Sequence, residues 1–267
     1  MPRSFFDKNK LLEINYKEPT IRVKKNNIIS CEECGLYKHC NSPKMEASGE
    51  GRLGILIIAE APGAEEDLQG TQLVGRSGRL LREVLHLMDL DLDRDFWKTN
   101  AISCRPQNNK TPSILQINAC RNRVKEVIDK YKPKVIIPMG YTAMISLVGD
   151  KITGRIKGLS MTDWAGCIIP DQDYKCWICP TWHPSYIIRN EDGSENSVVK
   201  KQFINNIREA VKLAEEPFYT SNYLSDCIVI DKMEEAIDII HKMREVPIVA
   251  FDYETTGKKP YRKGHRI

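Results

Sequence analysis

Apolar runs, helical stripes and glycine-marked breaks alternate along this chain. Residues 55–58 are a continuous run of isoleucine and leucine, the composition of a strand buried on both faces. The stretch behind them is read as a polar loop, with Glu60, Glu65, Glu66 and Asp67 set among Pro62, Gly63, Gly70, Gly75 and Gly78. Glycines at these places let backbone turn sharply or approach a ligand closely. Leucine or valine at 80, 81, 84, 85 and 87 predicts a helix over 77–89. A second strand is expected over 97–103, followed by a loop of sequence CRPQNNKTP. Thr111 as N-cap, with Pro112 at the first helical position, opens a helix reaching about residue 131. Residues 134–139 read as a third strand, and a turn at Gly140 leads to a short helix ending near Val148. Lys151, Arg155 and Lys157 fall in a loop over 150–173, with a hairpin expected around Trp164 and Gly166. Residues 176–181 make a fourth strand running into WHPSYIIR, and an amphipathic helix over 196–214 closes the domain.

Strand, helix, strand, helix is the order that builds a parallel sheet with helices covering it, so the class is α/β. A polar connector at 215–225 then breaks the pattern. Beyond it come a short strand at 227–230, a helix at 233–244 and a strand at 248–253 that ends in DYETTG. Three elements and a basic tail are too few for a separate core. The expected organisation is a polar extension at 1–30, a domain at 31–214, a linker at 215–225 and the start of a further domain at 226–267.

Composition narrows the class. With 267 residues, 41% of them hydrophobic, the chain can bury one large core. Its formal charge of +4 permits a nucleic-acid partner without requiring one. No apolar run approaches the roughly 20 residues that span a bilayer, and residues 1–10 carry no hydrophobic signal core. The expected setting is the cytoplasm, without membrane attachment or secretion. There the nine cysteines would be reduced, and they are better read as metal ligands or core residues than as disulfides.

Cys31 and Cys34 form a C-x-x-C pair in CEECGLYKHC, and Cys104 with Cys120 supplies a second pair. Four such thiolates could hold a 4Fe-4S cluster, with zinc as the alternative metal and Cys40 as competitor for one place. Cys176 and Cys179 are also C-x-x-C, but in a strand residues three apart point to opposite faces. These two, with Cys167 and Cys227, read as core cysteines.

Several motifs in order carry a more specific signal: Cys31-x-x-Cys34, AEAPGAEED at 59–67, LVGRSG at 73–78, TNAISCRPQNNKTP at 99–112, Cys120, and HPSYIIR at 183–189. Together they make residues 31 to about 212 resemble the fourth, iron-sulfur family of uracil-DNA glycosylases. The resemblance implies a three-layer fold with a central parallel four-stranded sheet, helices on both faces, and the site at the strand ends. It implies Cys31, Cys34, Cys104 and Cys120 as ligands of a structural 4Fe-4S cluster, leaving Cys40 out. Uracil-containing DNA is the implied substrate, single- or double-stranded, its target base flipped out of the stack. Glu60, Asn100 and His183 are then the catalytic residues: Asn100 reads the base edge, His183 donates to uracil O2, and Glu60 orients water or the nucleotide. Ala61, Pro62, Gly63, Leu73, Gly75, Ser185 and Arg189 would line the base and phosphate sites. Two positions depart from the family pattern. Leu73 stands where a phenylalanine ring usually stacks on uracil, and Ala59 replaces a glycine.

FDYETTG at 251–257 is similar to the first motif of the proofreading exonuclease domain of family A DNA polymerases. Asp252 and Glu254 lie two apart on a strand, so both carboxylates face one side and could share metal ions. The remaining motifs are absent, so this RNase H-like start is an incomplete metal site. Its presence implies polymerase domains covalently downstream, as in phage enzymes. A second reading, motivated by Leu73 and Ala59, is a catalytically weak glycosylase-fold module that binds DNA for the polymerase.

Overall fold

Short local rules explain the first elements. In the computed structural model, which describes residues 30–149, 160–190, 198–218, 228, 230 and 232–249, Cys31–Cys34 form helix α1. Ser30 caps it, accepting from the Glu33 N–H while the Glu33 carboxylate accepts from the Ser30 N–H. Strand β1, Ile55–Ala59, is buried along its whole length. The segment expected as a loop holds a helix, α2, at Ala64–Gln69. Three acidic residues in its first turn suit the positive end of a helix, and Gly70 ends it in the left-handed conformation. Helix α3 is Arg76–His86, one residue earlier at its start than predicted and three shorter at its end. Helix α4, Leu92–Asp95, precedes β2, Phe96–Asn100.

Helix α5 spans Ile114–Tyr131, with Ser113 rather than Thr111 as its N-cap. The reason is chemical: Ser113 has Gln116 three residues on to return the hydrogen bond, whereas Thr111 would have Ile114 there. Strand β3 is Val135–Pro138, and α6 is Tyr141–Val148. Trp164 lies in a short helix α7, Met161–Trp164, so the expected hairpin falls further on, between β4, Ile169–Asp171, and β5, Cys176–Ile178. Asp171 accepts from the N–H groups of Asp173 and Tyr174, which closes that turn. Helices α8, Pro184–Asn190, and α9, Val198–Leu213, complete the larger unit.

The sheet order is β2-β1-β3-β5-β4. Its first four strands are parallel, as expected, and the fifth, β4, pairs antiparallel with β5. The predicted four-stranded sheet is thus one short strand too small. Alternation along β1 builds the three layers. Ile55, Ile57 and Ala59 pack toward Leu81 and Leu85 of α3 and Phe203 and Ile207 of α9. Leu56 and Ile58 pack toward Val124 and Ile128 of α5 and Met144 and Leu147 of α6. Each fully buried leucine or isoleucine contributes about 1.5–3 kcal/mol. Cys176 joins the second layer and Cys179 the first, in keeping with their predicted opposite faces. Cys167, expected in the core, is exposed, its thiol donating to the Asp163 carbonyl at 3.4 Å.

The larger compact unit is Ile21–Thr220, and a smaller one takes up the chain from Ser221. Within the smaller, helix α10, Met233–Met243, matches the predicted helix to within a residue. Residues 1–29, the basic loop with Lys151, Arg155 and Lys157, Cys227, and the pair Asp252 and Glu254 lie outside the described residues. Among the described residues no helix is long and apolar enough to cross a membrane.

Candidate active site

Four strands deliver their ends to one crevice. Glu60 follows β1, Asn100 ends β2 opposite Ala59, Gly140 follows β3, and the chain leaving β5 bridges Met139 at Thr181 before reaching His183. From β1 the sheet grows to one side through β2 and to the other through β3. That reversal opens a crevice at the carboxyl ends of the strands. A cavity of about 510 Å³ occupies it. Glu60, Asn100 and His183 all line this cavity, and so do Ala61, Pro62, Gly63, Leu73, Gly75, Ser185 and Arg189. Every position singled out from the glycosylase motifs outside the cysteines therefore meets in one place.

The His183 ring has a defined tautomer. Its Nδ1 lies 3.2 Å from the Ser185 backbone nitrogen and 2.8 Å from Ser185 Oγ. A backbone N–H can only donate, so Nδ1 is the acceptor and the neutral ring carries its proton on Nε2. Burial, and secondarily the Arg189 guanidinium, lowers its pKa to about 4. The ring is thus neutral at physiological pH, with Nε2–H as its donor. Gly140 makes room for it: at φ +87° it has no Cβ, and one placed there would come within 3.0 Å of the His183 Cβ.

Asn100 is 97% buried, and its Nδ2 has no hydrogen-bond partner. An unpaired buried amide costs about 1–3 kcal/mol, so a position retaining one against the cavity is poised to donate to something that enters. Burial raises the Glu60 carboxyl above its usual range, against a hydrogen bond from the Thr142 hydroxyl and the charge of Arg189. Leu73 is buried with its backbone left-handed at φ 57°. Its carbonyl abuts Gly78, where a Cβ would sit 1.8 Å from the Leu73 oxygen.

Several contributors escape a reading of the sequence. Thr142 is one of three hydroxyl residues in a mostly apolar helix, and its partner Glu60 is distant in sequence. Residues 106–111 fall in the 99–112 motif, with Thr111 as the expected N-cap, and carry no site role in the sequence reading, yet Pro106, Asn109, Lys110 and Thr111 wall one side of the cavity. Asn108 and Asn109 both adopt φ 53° there, and Asn109 accepts from Arg105 at 2.9 Å. Asparagine tolerates that conformation better than most residues, a signal visible in the NN pair.

A second cavity, of about 160 Å³, is lined by Cys31, Cys34, Cys104 and Cys120. Burial raises both inner thiols, Cys104 to about 12, and neighbouring cysteines add to the effect. Lys44 offsets part of it, its N–H donating to Cys104 Sγ at 3.2 Å. Cys40 does not line this cavity; its thiol donates to the Tyr37 carbonyl at 3.8 Å and also stands beside Cys104, whose thiol it helps to raise. Among the described residues no three His, Cys, Asp or Glu side chains converge tightly enough to hold a single metal ion. Four thiols lining one cavity are a donor set that fits an iron-sulfur cluster and, chemically, a tetrahedral zinc ion as well.

Comparison with known proteins adds four findings. The family described as the Uracil DNA glycosylase superfamily matches residues 47–211. A type-4 uracil-DNA glycosylase of Pyrobaculum aerophilum is 34% identical over 167 residues, 61% of this chain and 81% of that protein. Another, from Thermotoga maritima, is 32% identical over 187 residues, 68% of this chain and 91% of its own length. A DNA polymerase of Bacillus phage SP01 is 22% identical over 227 residues, which are 84% of this chain and 23% of the polymerase.

Proposed function

The chain belongs to the uracil DNA glycosylase superfamily, and on that footing we propose that it excises uracil from DNA by hydrolysing the N-glycosidic bond of a flipped nucleotide. One observation carries the reading to named atoms: the unpaired Nδ2 of Asn100, the Nε2–H of a neutral His183 and the Glu60 carboxylate share one cavity at the strand ends. Asn100 donates to uracil O4 and accepts from N3–H. Cytosine presents an amine and a bare nitrogen at those positions, which leaves the amide unpaired. As the C1′–N1 bond breaks, its electron pair departs on the base and charge builds on O2, where His183 Nε2–H donates. Water forms the new bond at C1′, and Glu60, with its raised proton affinity, orients it and takes its proton. Ser185 fixes the imidazole, and Arg189 meets a DNA phosphate near the cavity mouth.

Cys31, Cys34, Cys104 and Cys120 are the proposed ligands of a 4Fe-4S cluster, with zinc the alternative metal. When bound, the cluster supplies cross-linking between two segments and takes no part in base removal. Residues 31–214 form the glycosylase domain, 215–225 a linker, and 226–267 the start of an exonuclease domain whose first metal carboxylates are Asp252 and Glu254. The similarity to a phage DNA polymerase supports this arrangement as the front of such an enzyme, with polymerase domains downstream. Neither a membrane nor secretion has a place in this reading, and the working compartment is the cytoplasm.

Incubating the purified protein with a uracil-containing oligonucleotide, then treating with alkali, tests the activity. Strand breaks that disappear in His183→Ala are expected. Equal breakage by both proteins would sink the assignment. Leu73 favours one variation, in which excision is slow and binding dominates. Base stacking on an aromatic ring is worth about 1–3 kcal/mol. Leu73→Phe should then raise activity by about tenfold or more, and an unchanged rate would discard that variation.

A further inference from the structure

Glu66 is not among the residues assigned to the site, yet its carboxylate binds two separate walls of the cavity. Oε2 accepts from the Gly63 N–H at 3.1 Å. Oε1 accepts from the Val74 N–H at 3.1 Å and from the Gly75 N–H at 2.8 Å. Ordinary helix capping accounts only for the first of these, since Glu66 is the third residue of α2 and Gly63 its N-cap. The other two donors belong to the 73–75 loop, which the helix cap does not need.

Backbone N–H groups converging on one carboxylate form strong, charge-assisted contacts. Both glycines at the clamp leave the carboxylate the room it occupies. A Cβ on Gly63 would lie 2.6 Å from Glu66 Oε2, and one on Gly75 would lie 3.0 Å from Oε1. Two of the glycines that mark the stretch behind residues 55–58 thus border the clamp. Leu73, one residue before the clamped Val74 amide and with its carbonyl against Gly78, is left-handed and buried and lines the base site. Left-handed backbone at a non-glycine residue is unfavourable and persists only where its surroundings hold it.

We infer that Glu66 is a positioning residue: its carboxylate sets the distance between the 61–63 turn and the 73–75 loop, and so holds the base-binding wall at Leu73 in place. The inference rests on the glycosylase reading for what enters the pocket, but the clamp itself is a property of the fold. Because it shapes a wall and touches no reacting atom, its loss weakens substrate binding more than turnover.

Glu66→Gln preserves size and replaces one acceptor oxygen by a donor that faces an N–H group. The KM for a uracil-containing oligonucleotide should rise about tenfold, with kcat changed less than about threefold. Amide hydrogen exchange in the peptide covering residues 62–76 should speed up by a similar factor, because either Gly63 or the Val74 and Gly75 pair loses its acceptor. Gly75→Ala, which pushes the intact carboxylate away, should reproduce both effects and serves if the glutamine variant folds poorly. A KM within twofold of wild type, or unchanged exchange at 62–76, overturns the inference. Absence of uracil release by the wild-type protein overturns the glycosylase reading instead, and the exchange measurement still decides whether the clamp exists.

Discussion

A neutral imidazole that stays neutral in mild acid gives the proposed reaction an unusual pH signature. With its pKa lowered to about 4, His183 keeps its Nε2 proton as a donor and gains no second one through the range where an ordinary histidine titrates. Glu60 shifts the other way, raised by burial, so it is the first essential group to change state as pH falls. The acid limb of kcat/KM should therefore belong to Glu60, with a midpoint above the usual carboxylate range, and should vanish in the slow variant Glu60→Gln. A limb that persists in that variant would assign it elsewhere. Stability follows a different rule. The unfolded histidine binds a proton near pH 6.5 while the folded one does not, so its contribution is full above that value and declines as pH falls toward about 4. Asn100 supplies a second contrast at this scale. Its unpaired amide costs stability and serves binding, so Asn100→Ala should lower kcat/KM by about a hundredfold or more while thermal stability changes little. Relief of the unpaired group offsets the small cavity left behind. A large fall in Tm would show that the amide is held by partners in the fold.

The helices and loops around β1 decide whether those side chains meet. Gly78, near the start of α3, lets the helix approach the Leu73 carbonyl so closely that a single methyl would collide with backbone. Gly78→Ala should cost about 1–3 kcal/mol or more by overpacking, measurable in urea, and should weaken oligonucleotide binding by displacing the 73–75 loop. Unaltered stability would mean that the loop yields freely and cannot define a wall. This element also marks the limit of what the sequence discloses. Strand β1 was legible because a continuous branched run is specific to a doubly covered strand. Helix α3 was legible from its leucine spacing. Helix α2 was not: its acids, flanked by glycines, read as a polar loop. What makes them a helix is distant, since Asp67 is buried and accepts from Asn41 and the Ser42 N–H, with Arg105 at 3.9 Å. The site residues were legible through motifs rather than periodicity. Thr142 and Glu66 were missed because their partners are backbone amides and a carboxylate that only the fold brings near. Strand β4 was missed because three residues with a proline carry too little pattern to register.

Across the whole glycosylase unit, the cysteines join parts that the sheet does not. Cys31 and Cys34 stand on α1, ahead of the first strand, and Cys104 and Cys120 belong to the loop after β2 and to α5. Their shared cavity lies beside the small apolar cluster of Leu36, Ile102, Ile117 and Ile145, which is modest beside the two layers flanking the sheet. Apart from that cluster, the segment is tied by Asp67 to Asn41 and Ser42, by the Cys104 sulfur to the Lys44 N–H, and by Arg123 to the Lys44 carbonyl and Glu46. Such contacts, several of them at the surface, contribute little individually. A metal cluster bound by all four thiolates would act as a cross-link closing a long loop, an effect of about 2–4 kcal/mol if it behaves as a disulfide does. The burial that raises the Cys104 and Cys120 thiols makes them poor thiolates in the absence of positive charge, so metal binding and folding of this corner should be coupled. Cys34→Ser should accordingly abolish bound iron and expose residues 30–44 to protease, while the sheet and its far-ultraviolet signal persist. Cys40→Ser, altering a cysteine outside the cavity, should leave iron content and protease resistance as they are. Equal iron loss in both variants would place Cys40 among the ligands.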